Sequence, residues 1–270
     1  MLKQLLKKMD SNPLLKNVSK SIQTTLANRE VSKIAIHFKK FFDTIIANDK
    51  DTKELSYRIR HDVYCTELAF EPERPDRLEK DEFDEHSIHC LVQHKGSENF
   101  AGTVRMVMSN SPEQLLPIEQ FCSHALEDEV LHPKNYKREE ICEISRLAVP
   151  AQFRKRKTDK YEGAGTGVID EHSFSPNEMR CFPFIAISLY FMAATVTQQK
   201  GINHIFVMME PRLARSLRFV GIPFTQIGKV TDYHGKRAPY HIDPKVLFQT
   251  LSPGFKKLML VIGDDMRKQM

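Results

Sequence analysis

The sequence contains no tryptophan and no uncharged apolar run of about 18 residues, the length a helix needs to cross a bilayer. The nearest candidate, residues 182–197, includes Pro183 and suits a buried helix better. Its five cysteines, Cys65, Cys90, Cys122, Cys142 and Cys181, are odd in number and never form a C-x-x-C pair. That argues against a zinc site and a disulfide framework and for a reducing, cytoplasmic compartment. The histidines, His86, His89, His94 and His124 among them, show no metal-ligand spacing, so no metal is expected. Positive charge is in small surplus: 40 Lys and Arg against 35 Asp and Glu give +5, too little to argue for nucleic acid. The basic start, Met1 to Met9, lacks a following apolar stretch and does not read as a secretion signal.

What is present is ordinary globular composition, 41% hydrophobic and 28% charged. Residues 1–36 read as a helical extension and residues 37–270 as the main domain. Leu2, Leu5, Leu6 and Met9 form one helical stripe flanked by Lys3, Lys7 and Lys8. Such a stripe either docks on protein or makes a weak peripheral membrane contact. A first strand is expected at 41–47, then a helix from Lys53 to about Glu67 with Thr52 as N-cap. A hairpin, 88–94 with 100–108, follows a charged loop over 71–84. Residues 140–149 read as a central strand. A long apolar helix opens at Pro183, residues 202–209 form a buried strand, and Pro211 to Phe219 form a helix stopped by Gly221. Residues 224–228 and 258–262 read as short strands. The order implies an α/β (α+β) domain, one mixed central sheet flanked by helices.

Charged residues inside apolar strands mark candidate chemistry. Arg105 lies within Thr103–Val107, and Glu143 and Arg146 lie within Ile141–Val149. A buried charge left unpaired costs several kcal/mol, so each needs a partner or a cleft. Alternation puts Glu143 and Ser145 on one face and Arg146 on the other; a β-bulge would turn Arg146 toward them. Arg60 on the helix and the acids of the run 79–84, notably Asp81 and Asp84, could neutralise these charges. Taken alone, that acidic run reads as a solvated turn, and the later block His234-Gly235 with Arg237 reads as a turn with charged flanks. Cys142 beside Glu143 raises a cysteine nucleophile, which direct acyl transfer does not need.

Four blocks, Tyr57–Tyr64, Asp81–Asp84, Gly102–Arg105 and Glu143–Arg146, resemble the acyl-homoserine-lactone synthases, whose fold is related to GCN5-type N-acetyltransferases. Further blocks are similar to N-acyl amino acid synthases and to acyltransferases associated with the PEP-CTERM/exosortase system. They are Tyr64–Glu71, Arg146–Arg154, Met209–Leu213 and Tyr233–Pro239. The resemblance implies a GCN5-related N-acyltransferase-like fold, with Arg60, Asp81, Asp84, Arg105 and Arg146 as site positions and Tyr64 beside them. Phe70 stands where the lactone synthases usually carry tryptophan near the amine substrate. This departure points away from S-adenosylmethionine and leaves acylation of another amine.

The coenzyme-A-dependent enzymes follow the central strand with a glycine-rich pyrophosphate loop. Here a basic segment, Arg154, Lys155 and Arg156, stands instead; Gly163, Gly165 and Gly167 come later without the expected flanking strand and helix. The basic segment suits an acyl carrier protein. The expected activity is therefore transfer of a long-chain acyl group from acyl carrier protein, or acyl-coenzyme A, to the amine of an amino acid, with no bound cofactor. Glu143 is the expected base, and backbone N–H groups near Ser145 the oxyanion donors. A lactone-type signal synthase using S-adenosylmethionine, or a non-catalytic acyl-chain or carrier-binding module, are the alternatives.

Overall fold

Alternation along each strand decides this fold, because one face of the sheet is apolar and the other carries the charged residues. In the computed structural model the described residues are 31–154 and 181–270. Residues 31–41 are helical (α1) and lead straight into β1, Phe42–Ile46. The helix crosses position 36, and its Ala35 and Phe38 are buried in the main core. The lysine-flanked stripe of the N-terminus lies outside the described residues.

The next helix, α2, spans Lys50–Arg60. Its N-cap is Asp49 rather than Thr52: Asp49 accepts from the Thr52 N–H at 2.9 Å, and Thr52 sits at N3 as the reciprocal half of a capping box. π-helical turns over His61–Glu67 continue α2. A 3-10 turn, Glu82–His86, precedes the hairpin of β2, Ser87–His94, and β3, Phe100–Met108. A short helix α3, Pro117–Cys122, leads to β4, Ile141–Ala148, and then α4, Ala151–Arg154. After residue 180 come a 3-10 turn, Phe182–Phe184, the helix α5, Ile185–Gln199, and β5, His204–Met209.

The helix α6, Pro211–Val220, ends at Gly221, whose φ of 97° suits a residue without Cβ. Two short strands, β6 (Thr225–Gln226) and β7 (Thr231–Asp232), precede β8, Lys236–Ile242. The chain ends in α7, Pro244–Thr250, and α8, Pro253–Arg267.

Two further expectations are corrected. Residues 258–262 lie inside α8, where Leu258, Met259, Ile262 and Met266 repeat at helical spacing; a five-residue apolar run does not by itself distinguish strand from helix. The block after His234-Gly235 is a strand: the turn is real, with φ of 51° and 97° at those two residues, but β8 follows it at once. Pro239 lies within this strand, and its carbonyl accepts from the Ile227 N–H at 3.0 Å.

The sheet order is β1-β2-β3-β4-β5-β8-β6, with β7 beside β8. Every pairing is antiparallel except β4 with β5. Under one face lie α5 and α8. Cys90, Val92, Val104, Met106, Cys142, Ile144, Ile205, Val207, Ala238 and Tyr240 point there and join one core with Leu189, Phe191 and Ile262. Burying side chains of this size contributes about 1.5–3 kcal/mol each. Alternate residues emerge on the opposite face. Val107, Ile141, Phe206 and Met208 form a second cluster with Phe83, Ile118 and Cys122, while His89, Arg105, Glu143 and Ser145 supply the polar groups.

Candidate active site

The register places the chemistry. Arg105 pairs with Ser145 and Val107 with Glu143, so Arg105, Glu143 and Ser145 emerge together opposite the apolar face. The next pair is Thr103 with Ala148: two steps on β3 against three on β4. This is the bulge expected from the sequence, and Arg146 takes φ of 50° within it. Simple alternation would have sent Arg146 into the apolar core. The bulge instead turns its guanidinium over Tyr64, 5.8 Å from that ring's centre, and among the acids.

Below the cavity lies a network of three arginines and four carboxylates. Arg60, fully buried, donates to Asp84 through both terminal nitrogens, at 2.6 and 3.1 Å, and through Nε to Glu79. Arg105 donates through Nη1 to Asp81 and Asp84 at 2.5 and 2.9 Å, and through Nε to Ser145 Oγ at 3.1 Å. Arg146 reaches Glu79 at 3.2 Å, Glu71 at 3.3 Å and Asp81 at 3.4 Å. The acidic run is thus not a solvated turn: Glu79 and Asp84 are buried. Its local fold follows from a capping box, in which Asp81 accepts from the Phe83 N–H and Asp84 accepts from the Asp81 N–H. Burial alone would raise these carboxyls, but the guanidinium groups outweigh it. Arg60 and Arg146 hold Glu79 below its usual range, and Arg60 and Arg105 hold Asp84 far below. His89, 3.5 Å from Asp84, is pushed down to about 3 by burial and stays neutral.

Glu143 sits differently. It is buried, forms no ion pair among the described residues, and accepts one hydrogen bond, from the Ile118 N–H at 2.6 Å. Burial pushes its carboxyl up to about 8, against partial opposition from that bond and from Arg105 and Arg146. Cys142 next to it points into the opposite, apolar core, where burial pushes its thiol far up. That environment excludes it as a nucleophile.

The cavity, of about 50 Å³, is lined by Glu143, Ser145, Arg105, Arg146, Asp81, Tyr64 and Phe70, all expected from the sequence. Arg60 and Asp84 lie beneath it rather than on its wall. Tyr64 donates to the Leu147 carbonyl at 2.7 Å, and Phe70, 39% exposed, forms the rim against the His234 ring. Glu71, Pro117, Phe121, Met208, Tyr233, His234 and Arg237 complete the lining. The sequence reading did not assign those seven to the site. Recognising β8 would have found Arg237, because Ala238 and Tyr240 face the core and the residue before Ala238 must face the cavity.

An open cleft of about 150 Å³ adjoins this cavity. The strands β4 and β5 pair only from Ile141 with His204 to Glu143 with Phe206. Beyond that point they diverge, and residues 144–147 face residues 207–210 across the cleft. Of the basic segment, only Arg154 lies among the described residues, and its guanidinium is bonded to Glu67. Lys155 and Arg156, and the glycines at 163, 165 and 167, lie outside them.

Residues 59–163 match the family described as acetyltransferase (GNAT) domain. The match spans 105 of the 270 residues. No curated protein matches the sequence. Among solved structures, the AHL synthase LasI aligns with a TM-score of 0.52 at 14% identity, over 78% of this chain and 96% of that one. FeeM, an N-acyl amino acid synthase from uncultured soil microbes, aligns with a TM-score of 0.52 at 15% identity, over 78% and 94%. BjaI, a CoA-dependent acyl-homoserine lactone synthase, aligns with a TM-score of 0.51 at 18% identity, over 77% and 88%. The shared fold is therefore that of the GNAT and lactone-synthase enzymes. No helix among the described residues is long and apolar enough to cross a membrane.

Proposed function

We propose that this chain is an N-acyltransferase that moves a long-chain acyl group from acyl carrier protein to the amine of an amino acid. The observation that carries the proposal is Glu143. It is a buried carboxyl raised to about 8, without an ion-pair partner, at the point where β4 and β5 separate. A base poised near the working pH is what deprotonating an ammonium group requires.

The diverging strands offer a cleft for the acyl thioester arm, and the charged cavity receives the amine. Glu143 accepts a proton from the acceptor ammonium, directly or through water. The amine nitrogen then bonds to the thioester carbonyl carbon. Residues 146 and 147 have no partner in the β3 ladder, and backbone N–H groups of this stretch would hold the oxyanion. Collapse breaks the carbon–sulfur bond; Glu143 passes its proton to the departing thiolate and takes the second proton from the cationic nitrogen, so that thiol and neutral amide leave and Glu143 returns that proton to solvent. The arginine network keeps the floor rigid and stays out of the proton transfer.

The basic segment of Arg154, Lys155 and Arg156 supports acyl carrier protein over free coenzyme A as donor. The small cavity and Phe70 at its rim favour a compact acceptor over S-adenosylmethionine. In the test, purified protein receives acyl-acyl carrier protein and a mixture of amino acids, and products are read by mass spectrometry. N-acyl amino acids are expected. Homoserine lactones formed from added S-adenosylmethionine would replace the acceptor assignment. No acylated product would leave a binding module.

A further inference from the structure

Arginines are the costliest residues in this cavity, and all but one are accounted for. Arg60, Arg105 and Arg146 each bind two or three carboxylates of the chain itself. Arg237 lines both the charged cavity and the adjoining cleft. Its Nε is shut off from water, and among the described residues it has no hydrogen-bond partner and pairs with no carboxylate. Removing a guanidinium N–H from water without a partner is unfavourable, and structures seldom keep such a group without a use.

Its placement is fixed by the backbone. The Met209–Ala238 register puts Ala238 toward the core and Arg237 toward the cavity, and Thr231 pairs with Arg237 from the other side. Glu143 lines the same cavity and is the group suited to an ammonium proton. A carboxylate-seeking cation and an ammonium-seeking carboxyl on one cavity wall are complementary to a single small molecule carrying both charges.

Resting on the acyl-transfer reading above, we infer that Arg237 receives the carboxylate of the acceptor and so selects free α-amino acids over amines that lack this group. Its planar fork matches a carboxylate in two-point contact, which lysine does not reproduce. A rival role, holding the tetrahedral oxyanion, would serve every acceptor alike, and the test separates the two.

The full chain, as parent, Arg237→Gln and Arg237→Lys, is titrated calorimetrically with N-dodecanoylglycine and with its primary amide. The parent should bind the carboxylate at least about tenfold more tightly, the scale of a hydrogen bond to a charged group. Arg237→Gln should lose that preference and Arg237→Lys keep part of it. Melting temperatures should stay unchanged, since no side-chain hydrogen bond of Arg237 among the described residues is broken. With acyl carrier protein as donor, Arg237→Gln should raise KM for the amino acid at least about tenfold while kcat stays within a few-fold. Equal binding of the two ligands by the parent, or a preference that survives in Arg237→Gln, overturns the assignment and leaves the acyl-transfer reading standing. A fall in kcat common to the amino acid and its primary amide assigns Arg237 to the oxyanion and also overturns it. If the parent binds neither ligand and acylates no amine, the acyl-transfer reading fails and the assignment of Arg237 falls with it.

Discussion

The floor and the wall of the cavity handle buried charge in opposite ways. On the floor, Arg60, Arg105 and Arg146 meet Glu71, Glu79, Asp81 and Asp84, and nearly every charge has two partners. On the wall, Glu143 and Arg237 are left without partners of opposite charge among the described residues. The floor carboxyls whose acidity is perturbed are held down by guanidinium groups, whereas Glu143 is pushed up by burial. Saturated charges build a support and unsaturated ones wait for a ligand. A network of matched pairs cannot exchange a proton near neutral pH; a lone buried carboxyl can.

The largest break in this contrast comes from the floor. Arg105→Ala takes one of two guanidinium partners from both Asp81 and Asp84 and frees Ser145, so it should cost about 3 kcal/mol of stability as well as activity. Urea denaturation reads the loss; a variant as stable as the parent would show that the network is not coupled.

The pH dependence of stability sharpens the same contrast, and its signs are opposite at floor and wall. Asp84 and Glu79 have lowered native values, so their contribution is present above the ordinary carboxylate range and lost on acidification. Glu143 has a native value of about 8 against an ordinary 4.5, so the native state binds its proton more tightly. Its contribution is therefore full below about 4.5 and falls as pH rises through about 8. Glu143→Gln keeps an acceptor for the Ile118 N–H and removes the charge. It should melt higher than the parent at pH 9, and the advantage should shrink toward pH 6. An advantage independent of pH would mean that Glu143 does not titrate in this range.

The smallest expected effect concerns the donor surface. Charge reversal at Arg154, Lys155 and Arg156 should raise the apparent KM for acyl carrier protein several-fold and weaken its dependence on salt. Unchanged kinetics, or equal efficiency with acyl-coenzyme A, would remove the carrier-binding role. Because Arg154 is bonded to Glu67, reversing it alone also breaks that pair, and melting temperature serves as the control.

Much of the floor was legible in the sequence, because an arginine or glutamate within an apolar strand has few options. Arg105, Glu143 and the bulge at Arg146 followed from that constraint and from period-two alternation. The wall was harder. Arg237 stands at the start of a strand that contains a proline and follows a Tyr-His-Gly turn, so local signals favour the turn. Only the pairing of β8 with β5, a contact between residues about 30 apart, reveals it. Residues 258–262 misled for a related reason: five apolar residues in a row carry no period, and the flanking turns of α8 decide. Thr52 is a good capping residue but belongs at N3, because Asp49 three residues earlier completes the box.

The account stands most directly on the rate of acyl transfer against pH for the parent and for Glu143→Gln, measured with acyl carrier protein as donor and an amino acid as acceptor. For the parent, kcat should rise with pH and level off above about 8, as Glu143 loses its proton. For Glu143→Gln, kcat should be lower by about 10²-fold or more, and that rise should be absent. A variant within a few-fold of the parent, with the same rise toward pH 8, would contradict the account by showing that another group takes the proton.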